Sequence, residues 1–406
     1  MSGSTTVLVV TYNSSGVAED LAWTLNDLSG RCRAVVVDSD SRDGTVDLLG
    51  RLMPGIRIIS TGRNRGFGSA CNLGLSRVET PYTLLLNHDA RLDAGSLGLL
   101  EGWLDANPGT AAVQPLIRAW GWPEVTASRG IGMTGMYEGY DLGFMRFEPG
   151  PGGGPVRGAG ATAAVSLWRT CVLSSLSGFD PGFFMYFEDV DLSIRARLLG
   201  WSLDVLPGAE AQHMVGVSSS RSSAGVWEVR SACRLAMKYG RSPGRAKLAL
   251  IMREMRSLAS MGTGVPASLR RMAAIASERA ARTGGVFEPS SAPPTELPAR
   301  RSPPPSGLDP CGLLVSGPGW ISGSAFAGYG AFTARSGCRL TADVRSHHGP
   351  VTGRMYSGDV PGAPFIVDTH GSRLSFTIGP GRHYLAADDR DAVVDVSGMR
   401  VDEHTG

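Results

Sequence analysis

The sequence predicts an α/β protein in which a doubly wound sheet domain is followed by basic helices and a C-terminal all-β sandwich domain. Three observations support this prediction. Apolar, β-branched runs alternate with polar loops and helix-like segments between residues 7 and 89, Lys and Arg dominate after residue 220, and short β-rich segments follow residue 310. With 406 residues, the chain is long enough for two or three domains.

Composition limits the classes of function. The formal net charge of +2 argues against a general nucleic-acid binder, and the six cysteines lack the paired short spacing of a zinc site or a disulfide framework. The N-terminus has no basic region typical of a secretory signal, and no apolar run approaches the roughly 20 residues that span a bilayer. We therefore expect a cytoplasmic protein with reduced thiols.

Four predicted strands organise the first domain. Each is a short, continuous apolar run, as in a parallel sheet that is covered on both faces, and each is followed by polar residues. Ligands of such sheets bind at the carboxyl ends of the strands, so these polar residues are candidate ligand contacts. The strands are Val7–Val10, Ala34–Val37, Ile56–Ile59 and Thr83–Leu86, followed by Thr11–Asn13, Asp38–Thr45, Asn64–Gly68 and Asn87–Asp89.

The stretch Phe179–Trp201 carries the most chemistry. Its aromatic run ends in three acids, Glu188, Asp189 and Asp191, and a helical pattern then continues to a glycine. Backbone amides of a first helical turn hold a carboxylate deprotonated, so one of these acids beside an apolar wall could serve as a general base. The alternative is structural, because acids favour helix N-termini and Asp191 can pair with Arg195 four residues on.

Two further regions are distinctive. Trp120–Pro155 is rich in Gly, Met and aromatic residues, which is typical either of a mobile flap or of an irregular satellite of the core. Between Arg221 and Arg282, thirteen Lys or Arg residues outnumber three Glu. Within that region, Lys247–Met261 predicts an amphipathic basic helix, which either contacts an anionic membrane or packs its apolar stripe on the first domain.

The C-terminal part begins with a Pro-rich segment, Gly284–Pro310, which predicts an extended linker. Short β segments separated by Gly, Pro, Asp and Ser turns then predict the sandwich, and no catalytic constellation stands out in it. Glycan binding and subunit contact in a homo-oligomer are both open roles for this domain. The predicted boundaries are residues 1–220, 221–283, 284–310 and 311–406.

Gly66-Phe67-Gly68 offers a competing motif, since it partly matches the dinucleotide-binding fingerprint between a strand and a helix. The third small residue of that fingerprint is missing, and the motif follows the third strand rather than the first. The sequence therefore argues against a nicotinamide enzyme.

A set of motifs between residues 5 and 220 occurs in the order that is typical of one enzyme family. The motifs are Thr11-Tyr12-Asn13, Asp38 through Thr45, Asn64-Arg65-Gly66-Phe67 with Asn72, Asn87-His88-Asp89-Ala90, Gly158-Ala159, and Gly178-Phe179-Asp180 through Leu192 with Gly200-Trp201. Together they resemble the inverting family 2 glycosyltransferases of the GT-A fold, especially the bacterial rhamnosyltransferase-like branch.

This resemblance implies roles for the matching positions. Thr11 and Asp38 would hold the nucleotide base and ribose, and Asp89 would be the metal-binding end of the family's Asp-x-Asp element. His213, after a predicted last strand, would complete the metal or diphosphate site. The other donor-binding positions would be Asn13, Asp40, Asn64, Gly66, Asn87 and His88.

The resemblance also implies that Asp189 is the catalytic base, with Asp191 as the rival. Glu188 and Asp191 would shape the acceptor pocket or orient that base. Two positions depart from the family pattern: Asn87 replaces the first acid of the Asp-x-Asp element, and His88 replaces the commoner middle residue. His88 is either a partner of the donor and metal groups or an exposed bystander.

The implied function is transfer of a sugar from a nucleoside diphosphate donor to a hydroxyl of a glycan, glycolipid or small molecule, with Mg²⁺ or Mn²⁺. Inversion in one displacement needs one positioned base and no carboxylate nucleophile. The first expected donor is dTDP-rhamnose and the second is a UDP-sugar. A lipid-linked acceptor would suit peripheral contact with the inner face of the membrane. A glycan-binding or scaffolding protein on a catalytically silent transferase fold is the alternative, since Asn87 replaces an acid.

Overall fold

The computed structural model describes residues 3–134, 137–148, 150, 154, 156–157, 160–214 and 221–239, and β strands between residues 320 and 403. The predicted basic helix at 247–261, the linker at 284–310 and residues 158–159 of the motif set lie outside this described part. The chain divides into two compact units. One comprises Met1–Trp120, Ala127–Phe144 and Gly153–Pro293, and the other comprises Gly121–Thr126, Met145–Gly152 and Pro294–Gly406.

The first unit begins with the predicted alternation of strands and helices. Four parallel strands lie side by side in the order β3-β2-β1-β4. Alternate residues of β1 enter two separate buried clusters, one containing Val7 and Val9 and the other Leu8 and Val10. Both faces of the strand are therefore covered, which explains its continuous apolar sequence. The elements are β1 (Thr5–Thr11), α1 (Ala18–Leu28), β2 (Cys32–Asp38), α2 (Thr45–Leu52), β3 (Ile58–Ser60), α3 (Phe67–Leu75) and β4 (Tyr82–Asn87).

Beyond β4 the sheet becomes mixed. β12 runs antiparallel to both β4 and β6, whereas β13 runs parallel to β6 and antiparallel to the short β5. β13 reaches His213, so this histidine ends the last strand of the sheet instead of following it. The elements that build this half are β5 (Ala90–Leu92), α4 (Ala94–Ala106), β6 (Thr110–Ala119), β11 (Val156–Arg157), β12 (Val165–Arg169), α5 (Thr170–Ser175), α6 (Glu188–Leu198) and β13 (Ser202–His213).

The segment predicted to be a flap or an irregular satellite contains four strands: β7 (Trp122–Ser128), β8 (Ile131–Met133), β9 (Gly139–Asp141) and β10 (Arg146–Phe147). β8 and β9 form an antiparallel pair. Ile131 and Met133 are buried in a cluster with Phe183 and Val190. Part of this segment, including Met133, therefore packs against the region around α6.

Helix α7 (Arg221–Tyr239) follows the sheet. Its residues Leu235 and Tyr239 are buried against Val190 and Ile194 of α6, so the start of the basic region is part of the first unit. No helix in the described part of the chain is both long enough and apolar enough to cross a membrane.

The C-terminal strands form two antiparallel sheets, in the orders β14-β15-β22-β17-β20 and β16-β21-β18-β19. Burial alternates along β18 and β19, as expected for sheets with one buried face. The predicted all-β region is thus confirmed at the level of strands. They are β14 (Trp320–Ser322), β15 (Ala325–Ala327), β16 (Tyr329–Ala334), β17 (Cys338–Ser346), β18 (Val351–Ser357), β19 (Val360–Val367), β20 (Ser372–Ile378), β21 (Gly381–Ala387) and β22 (Val393–Glu403).

Candidate active site

The ends of β1, β2 and β4 meet at one edge of the sheet. The register pairs Thr11 with Asp38 and Val10 with Asn87. The amide of Asn87 donates to the carbonyl of Ala164 at 2.8 Å, and the neighbouring amide of Ala163 donates to Asp189 Oδ2 at 3.1 Å. Polar groups that are far apart in the sequence therefore converge on one region, as the strand pattern predicted.

Asp38 is 3% exposed and its carboxylate is fixed by protein donors. Oδ1 accepts hydrogen bonds from Thr11 Oγ1 at 2.9 Å and Ser41 Oγ at 2.5 Å, and Oδ2 accepts one from the Ser41 amide at 2.9 Å. A carboxylate offers about four lone-pair sites, so the arrangement sets the orientation of Asp38 and leaves acceptor capacity for a ligand hydroxyl or N–H group.

The loops beside Asp38 contain two non-glycine residues in the left-handed region, Asn13 (φ 49°) and Asp40 (φ 68°). The Asn13 amide donates to Ser41 Oγ, and Asn13 Oδ1 accepts from the Arg42 amide, both at 2.9 Å. Asp40 lies 3.2 Å from Arg42 in an exposed ion pair. Asn and Asp tolerate this backbone region better than other residues, so these side chains are suited to define the loop shape.

Asn64 and Gly66 position the start of α3. Asn64 Oδ1 accepts from the Gly66 amide at 2.9 Å, and Gly66 has φ +88°. The next amide, that of Phe67, donates to the carbonyl of Phe184 at 3.0 Å, and a Cβ at Gly66 would lie 2.2 Å from that carbonyl oxygen. Only glycine permits this close approach between the loop and the aromatic run.

Asn72 ties α3 to the same aromatic stretch. Its Nδ2 donates to the carbonyl of Phe179, and its Oδ1 accepts from the Phe179 amide, both at 2.8 Å. Phe67 and Phe179 meet edge to face with ring centroids 5.9 Å apart. The motif residues Asn64 to Asn72 therefore support the residues that precede the three acids.

Asp89 and His213 come together at the ends of neighbouring elements. Asp89 is 1% exposed, its Oδ1 lies 3.1 Å from His213 Nε2, and Asn87 Nδ2 lies 3.4 Å from the same nitrogen. The pairing of His213 with Ala90 across β13 and β5 holds them in register. One carboxylate and one imidazole could contribute two ligands to a divalent cation. Within the described ranges, no group of three or more His, Cys, Asp or Glu residues could hold a metal ion alone.

His88 is partly buried rather than an exposed loop residue. Burial lowers the pKa of its imidazole, while the charge of Asp89 and a hydrogen bond with the Val10 backbone oppose that effect. The ring is therefore directed back onto β1 beside the strand ends, and it is neutral at physiological pH.

Glu188 and Asp189 open α6, immediately after two residues with left-handed backbone, Tyr186 (φ 67°) and Phe187 (φ 64°). Non-glycine residues in this region cost about 1–3 kcal/mol each and persist only where surrounding contacts enforce them. Asp189 Oδ2 accepts from the Ala163 amide at 3.1 Å and Oδ1 from the Val190 amide at 2.8 Å. The strained turn thus directs this carboxylate towards the strand ends.

The two adjacent carboxyls differ in their surroundings. Burial, followed by the charge of Asp189, raises the pKa of Glu188 to about 8, and among the described residues its Oε2 is buried without a hydrogen-bond partner. Burial also raises the pKa of Asp189, but amide donors and the Thr162 hydroxyl oppose the rise. The charge of Asp189 therefore disfavours ionisation of Glu188, whereas the amide donors favour the ionised form of Asp189.

Asp191 is fully buried and both of its oxygens are engaged. Oδ1 accepts from Lys238 Nζ at 2.5 Å and from the Tyr239 hydroxyl at 2.6 Å, and Oδ2 accepts from Arg195 Nε at 2.8 Å. The predicted pair with Arg195 is therefore present, but it is part of a larger network with α7.

Asp141 joins the site although the sequence analysis did not select it. Burial raises its pKa to about 6; the charge of Asp189 raises it further, while a hydrogen bond from Ser128 and the charge of His213 oppose the rise. This carboxyl therefore lies within electrostatic range of both the Asp189 end and the His213 end of the site. Its position depends on the β8–β9 pairing, which places it opposite Ile131.

The chain is similar to known glycosyltransferases. Residues 6–153 match the family model described as glycosyl transferase family 2. N-acetylglucosaminyl-diphospho-decaprenol L-rhamnosyltransferase of Mycobacterium tuberculosis (strains CDC 1551 / Oshkosh and ATCC 25618 / H37Rv) is 26% identical over 242 residues, which cover 54% of this chain and 78% of the relative.

Solved structures align more loosely. GalNAc-T7 with UDP, GalNAc and Mn2+ aligns with a TM-score of 0.49 and 13% identity, over 66% of this chain and 54% of its own length, so the chain spans about half of that protein. The mannosyltransferase PcManGT from Pyrobaculum calidifontis, in complex with GDP-Man and Mn2+, aligns with a TM-score of 0.42 and 18% identity over 69% and 76% of the two chains.

The family match begins within β1 and includes the strand ends that carry Thr11, Asp38 and Asp89. The mixed sheet, the family match and the rhamnosyltransferase relative agree in fold and in type of activity. The chain is a glycosyltransferase with the GT-A fold, and its residues 6–153 match the glycosyl transferase family 2 model.

Proposed function

We propose that the protein transfers L-rhamnose from dTDP-L-rhamnose, with inversion, to a hydroxyl of a lipid-linked N-acetylglucosaminyl diphosphate. The observation that carries the proposal is the Asp189 carboxyl group, which two backbone amides fix near the strand ends that carry Asn87, Asp89 and His213. The sugar and the acceptor follow the mycobacterial relative, whose name specifies both.

Asp189 acts as the general base in this proposal. In a single displacement, the acceptor hydroxyl loses its proton as its oxygen attacks the anomeric carbon, and the bond from that carbon to the diphosphate oxygen breaks on the opposite face. Asp191 is a weaker candidate because Lys238, Tyr239 and Arg195 occupy both of its oxygens. It serves instead to anchor the start of α6.

The donor lies along the ends of β1, β2 and β4. Asp38, oriented by Thr11 and Ser41, accepts a hydrogen bond from the base or ribose, and Asn13, Asp40 and Asn64 form the adjoining loops. Gly66 allows the α3 loop to lie against the aromatic run, which closes this side of the donor site.

Asp89 and His213 would hold a divalent cation, with Asn87 and His88 beside them. Their atoms fit that use, since Asp89 Oδ1 and His213 Nε2 are 3.1 Å apart, and carboxylate oxygen with imidazole nitrogen suits Mn²⁺ or Mg²⁺ when diphosphate oxygens complete the coordination. When bound, the cation neutralises charge on the leaving diphosphate. Asp141, between the two ends of the site, is placed to accept a hydrogen bond from a sugar hydroxyl.

The proposed domain boundaries remain residues 1–220 for catalysis, 221–283 for the basic extension, 284–310 for the linker and 311–406 for a β accessory domain. We place the protein in the cytoplasm, with the basic region facing the inner surface of the membrane where a lipid-linked acceptor is available. The β domain would bind glycan or mediate subunit contact.

The test is release of dTDP from dTDP-L-rhamnose with N-acetylglucosaminyl-diphospho-decaprenol as acceptor and Mg²⁺ or Mn²⁺ present. Asp189→Asn should lower turnover by at least about 100-fold, because general base catalysis contributes on the order of 10²–10⁴. Asp93→Asn is the matched control, since Asp93 caps α4 through the Ser96 amide and Asn caps a helix equally well. Asp189→Asn activity within a few-fold of wild type would disprove the base assignment.

Two other outcomes would correct the finer assignments. Turnover with UDP-sugars but not with dTDP-L-rhamnose would make the donor assignment wrong. Chelation that leaves both dTDP binding and turnover intact would remove the metal role of Asp89 and His213.

A further inference from the structure

Helix α7 contacts the residues that immediately precede the strained turn at Tyr186 and Phe187. Trp227 stacks on Phe184 with ring centroids 4.3 Å apart, and Ser231 Oγ donates to the carbonyl of Met185 at 3.0 Å. The two residues that follow, Tyr186 and Phe187, are those with left-handed backbone. The chain therefore enters the turn from positions that α7 fixes.

The same helix also contacts Asp191, which follows the turn. Lys238 is 6% exposed, and its Nζ bridges Asp180 Oδ2 at 2.7 Å and Asp191 Oδ1 at 2.5 Å. Tyr239 adds a hydrogen bond to the same oxygen of Asp191, two residues after Asp189. A buried ammonium group requires such pairing, so the position of the lysine and the positions of both carboxylates determine one another.

The contacts with α7 strongly favour the ionised form of Asp180. Burial would raise its pKa, but hydrogen bonds from Lys238 and the Gly182 amide, together with the charges of Lys238 and Arg234, lower it to about 2. Arg234 donates to both oxygens of Asp180 at 3.1 Å. Asp180 therefore stays ionised and paired at every pH at which the enzyme would work.

We propose that Trp227, Ser231, Arg234, Lys238 and Tyr239 of α7 form a clamp that positions the catalytic carboxylate, with Lys238 as its central positioning residue. The clamp holds Tyr186 and Phe187 in their left-handed conformation, which sets the direction in which Asp189 leaves the turn. The inference rests on the proposed role of Asp189 as the base. It assigns α7 to the glycosyl-transfer machinery although none of its clamp residues lies in the motifs that resemble the family.

Loosening the clamp should affect turnover more than donor affinity. The donor contacts at Asp38 and Asp89 are made by other elements, whereas the position of the Asp189 carboxylate depends on the turn. A displacement of about 1 Å at a reacting group can cost on the order of 100-fold in rate. Lys238→Met should therefore lower kcat by about 30- to 100-fold and leave KM for dTDP-L-rhamnose within about 2-fold.

The Lys238→Met variant should still fold. Without Lys238, Asp180 keeps Arg234 and the Gly182 amide, and Asp191 keeps Arg195 and Tyr239. Trp103→Phe is the matched stability control, because Trp103 lies on α4 and the change removes the 3.0 Å hydrogen bond from its Nε1 to Asp204 on β13. Its kcat per folded molecule should equal that of wild type.

A second substitution that restores kcat would show that Lys238 positions the Asp189 carboxylate and does not only stabilise the fold. Asn tolerates left-handed backbone better than Tyr, so Tyr186→Asn added to Lys238→Met should restore kcat by about 5-fold or more. Ser231→Ala, which removes one hydrogen bond to the turn, should lower kcat by about 3- to 10-fold, and it serves as the test if Lys238→Met does not fold.

Full-length variants would be compared by dTDP release from dTDP-L-rhamnose with N-acetylglucosaminyl-diphospho-decaprenol, corrected for folded fraction. The clamp is wrong if Lys238→Met keeps wild-type kcat while Asp189→Asn is inactive, if Tyr186→Asn gives no rescue, or if Ser231→Ala has wild-type kcat. Activity of Asp189→Asn itself would instead overturn the proposed function, so the two failures are distinguishable.

Discussion

The stability of the wild-type protein should decrease as the pH rises, because of Glu188. Replacing Glu188 with Gln should make the stability much less dependent on pH. The pKa of Glu188 is raised from 4.5 to about 8 by burial and by the charge of Asp189. Between these two values the folded protein binds a proton that the unfolded chain has released. The free energy of unfolding therefore falls as the pH rises through this window. The contribution of Glu188 to stability is fully present only below the pKa of 4.5 that it has in the unfolded chain.

The magnitude follows from the two pKa values. A difference of about 3.5 pH units corresponds to at most about 5 kcal/mol, at roughly 1.4 kcal/mol per unit. Because Glu188 and Asp189 titrate as a pair, about half of this, 2–3 kcal/mol, is a reasonable expectation for Glu188 alone. For a domain of this size, that free energy lowers the Tm by about 5–10 °C.

The assay is the Tm of the full-length protein at intervals from pH 5 to pH 9. The Tm of the Glu188→Gln variant should fall much less between pH 5 and pH 9 than that of the wild type, because the Gln side chain stays neutral across this range. Glu79→Gln is the control, since the Glu79 side chain is 85% exposed in a loose pair with Arg33. Parallel curves for wild type and Glu188→Gln would refute the argument that burial and the charge of Asp189 raise the pKa of Glu188.

Three further substitutions test the site. Gly66→Ala should lower the free energy of unfolding in urea by about 2–4 kcal/mol, because the new Cβ would collide with the Phe184 carbonyl and φ is +88°; a wild-type midpoint would contradict this. Asn72→Ala should cost about 2–3 kcal/mol in the same assay by breaking both hydrogen bonds to the backbone of Phe179. Asp89→Ala and His213→Ala should each weaken Mn²⁺-dependent dTDP binding in calorimetry by about 10-fold or more, with metal-free binding unchanged; equal losses with and without Mn²⁺ would exclude a metal role.

The sequence was informative wherever one local signal determined the structure. The strand from Thr5 to Thr11 is buried along its whole length, so its apolar run identified both the strand and the strand end at which Thr11 meets Asp38. The acids of α6 were also identifiable, since Asp and Glu are enriched in the first turn of a helix. The antiparallel β12 was not predicted, because strand direction depends on pairing between distant segments.

Asp141 and Lys238 could not have been found in this way. Asp141 reaches the site through the pairing of two three-residue strands, and register between such short segments has no clear signature in a sequence. Lys238 is one of thirteen basic residues in its region, and nothing in its neighbours separates a buried lysine from an exposed one. Only the contacts with Asp180 and Asp191 reveal its place.

The turn at Tyr186 and Phe187 shows why motif and geometry are separate requirements. Sequence rules expect Gly or Asn where φ is positive, yet two aromatic residues adopt that conformation here. They can do so because contacts from α3 and α7 fix the chain on both sides, and those contacts come from residues more than 40 positions away. The acids of the motif supply the chemistry, whereas the direction of the Asp189 carboxylate is a property of the packed fold. A chain that kept Glu188 to Asp191 but lost the partners of the turn would retain the motif without its geometry.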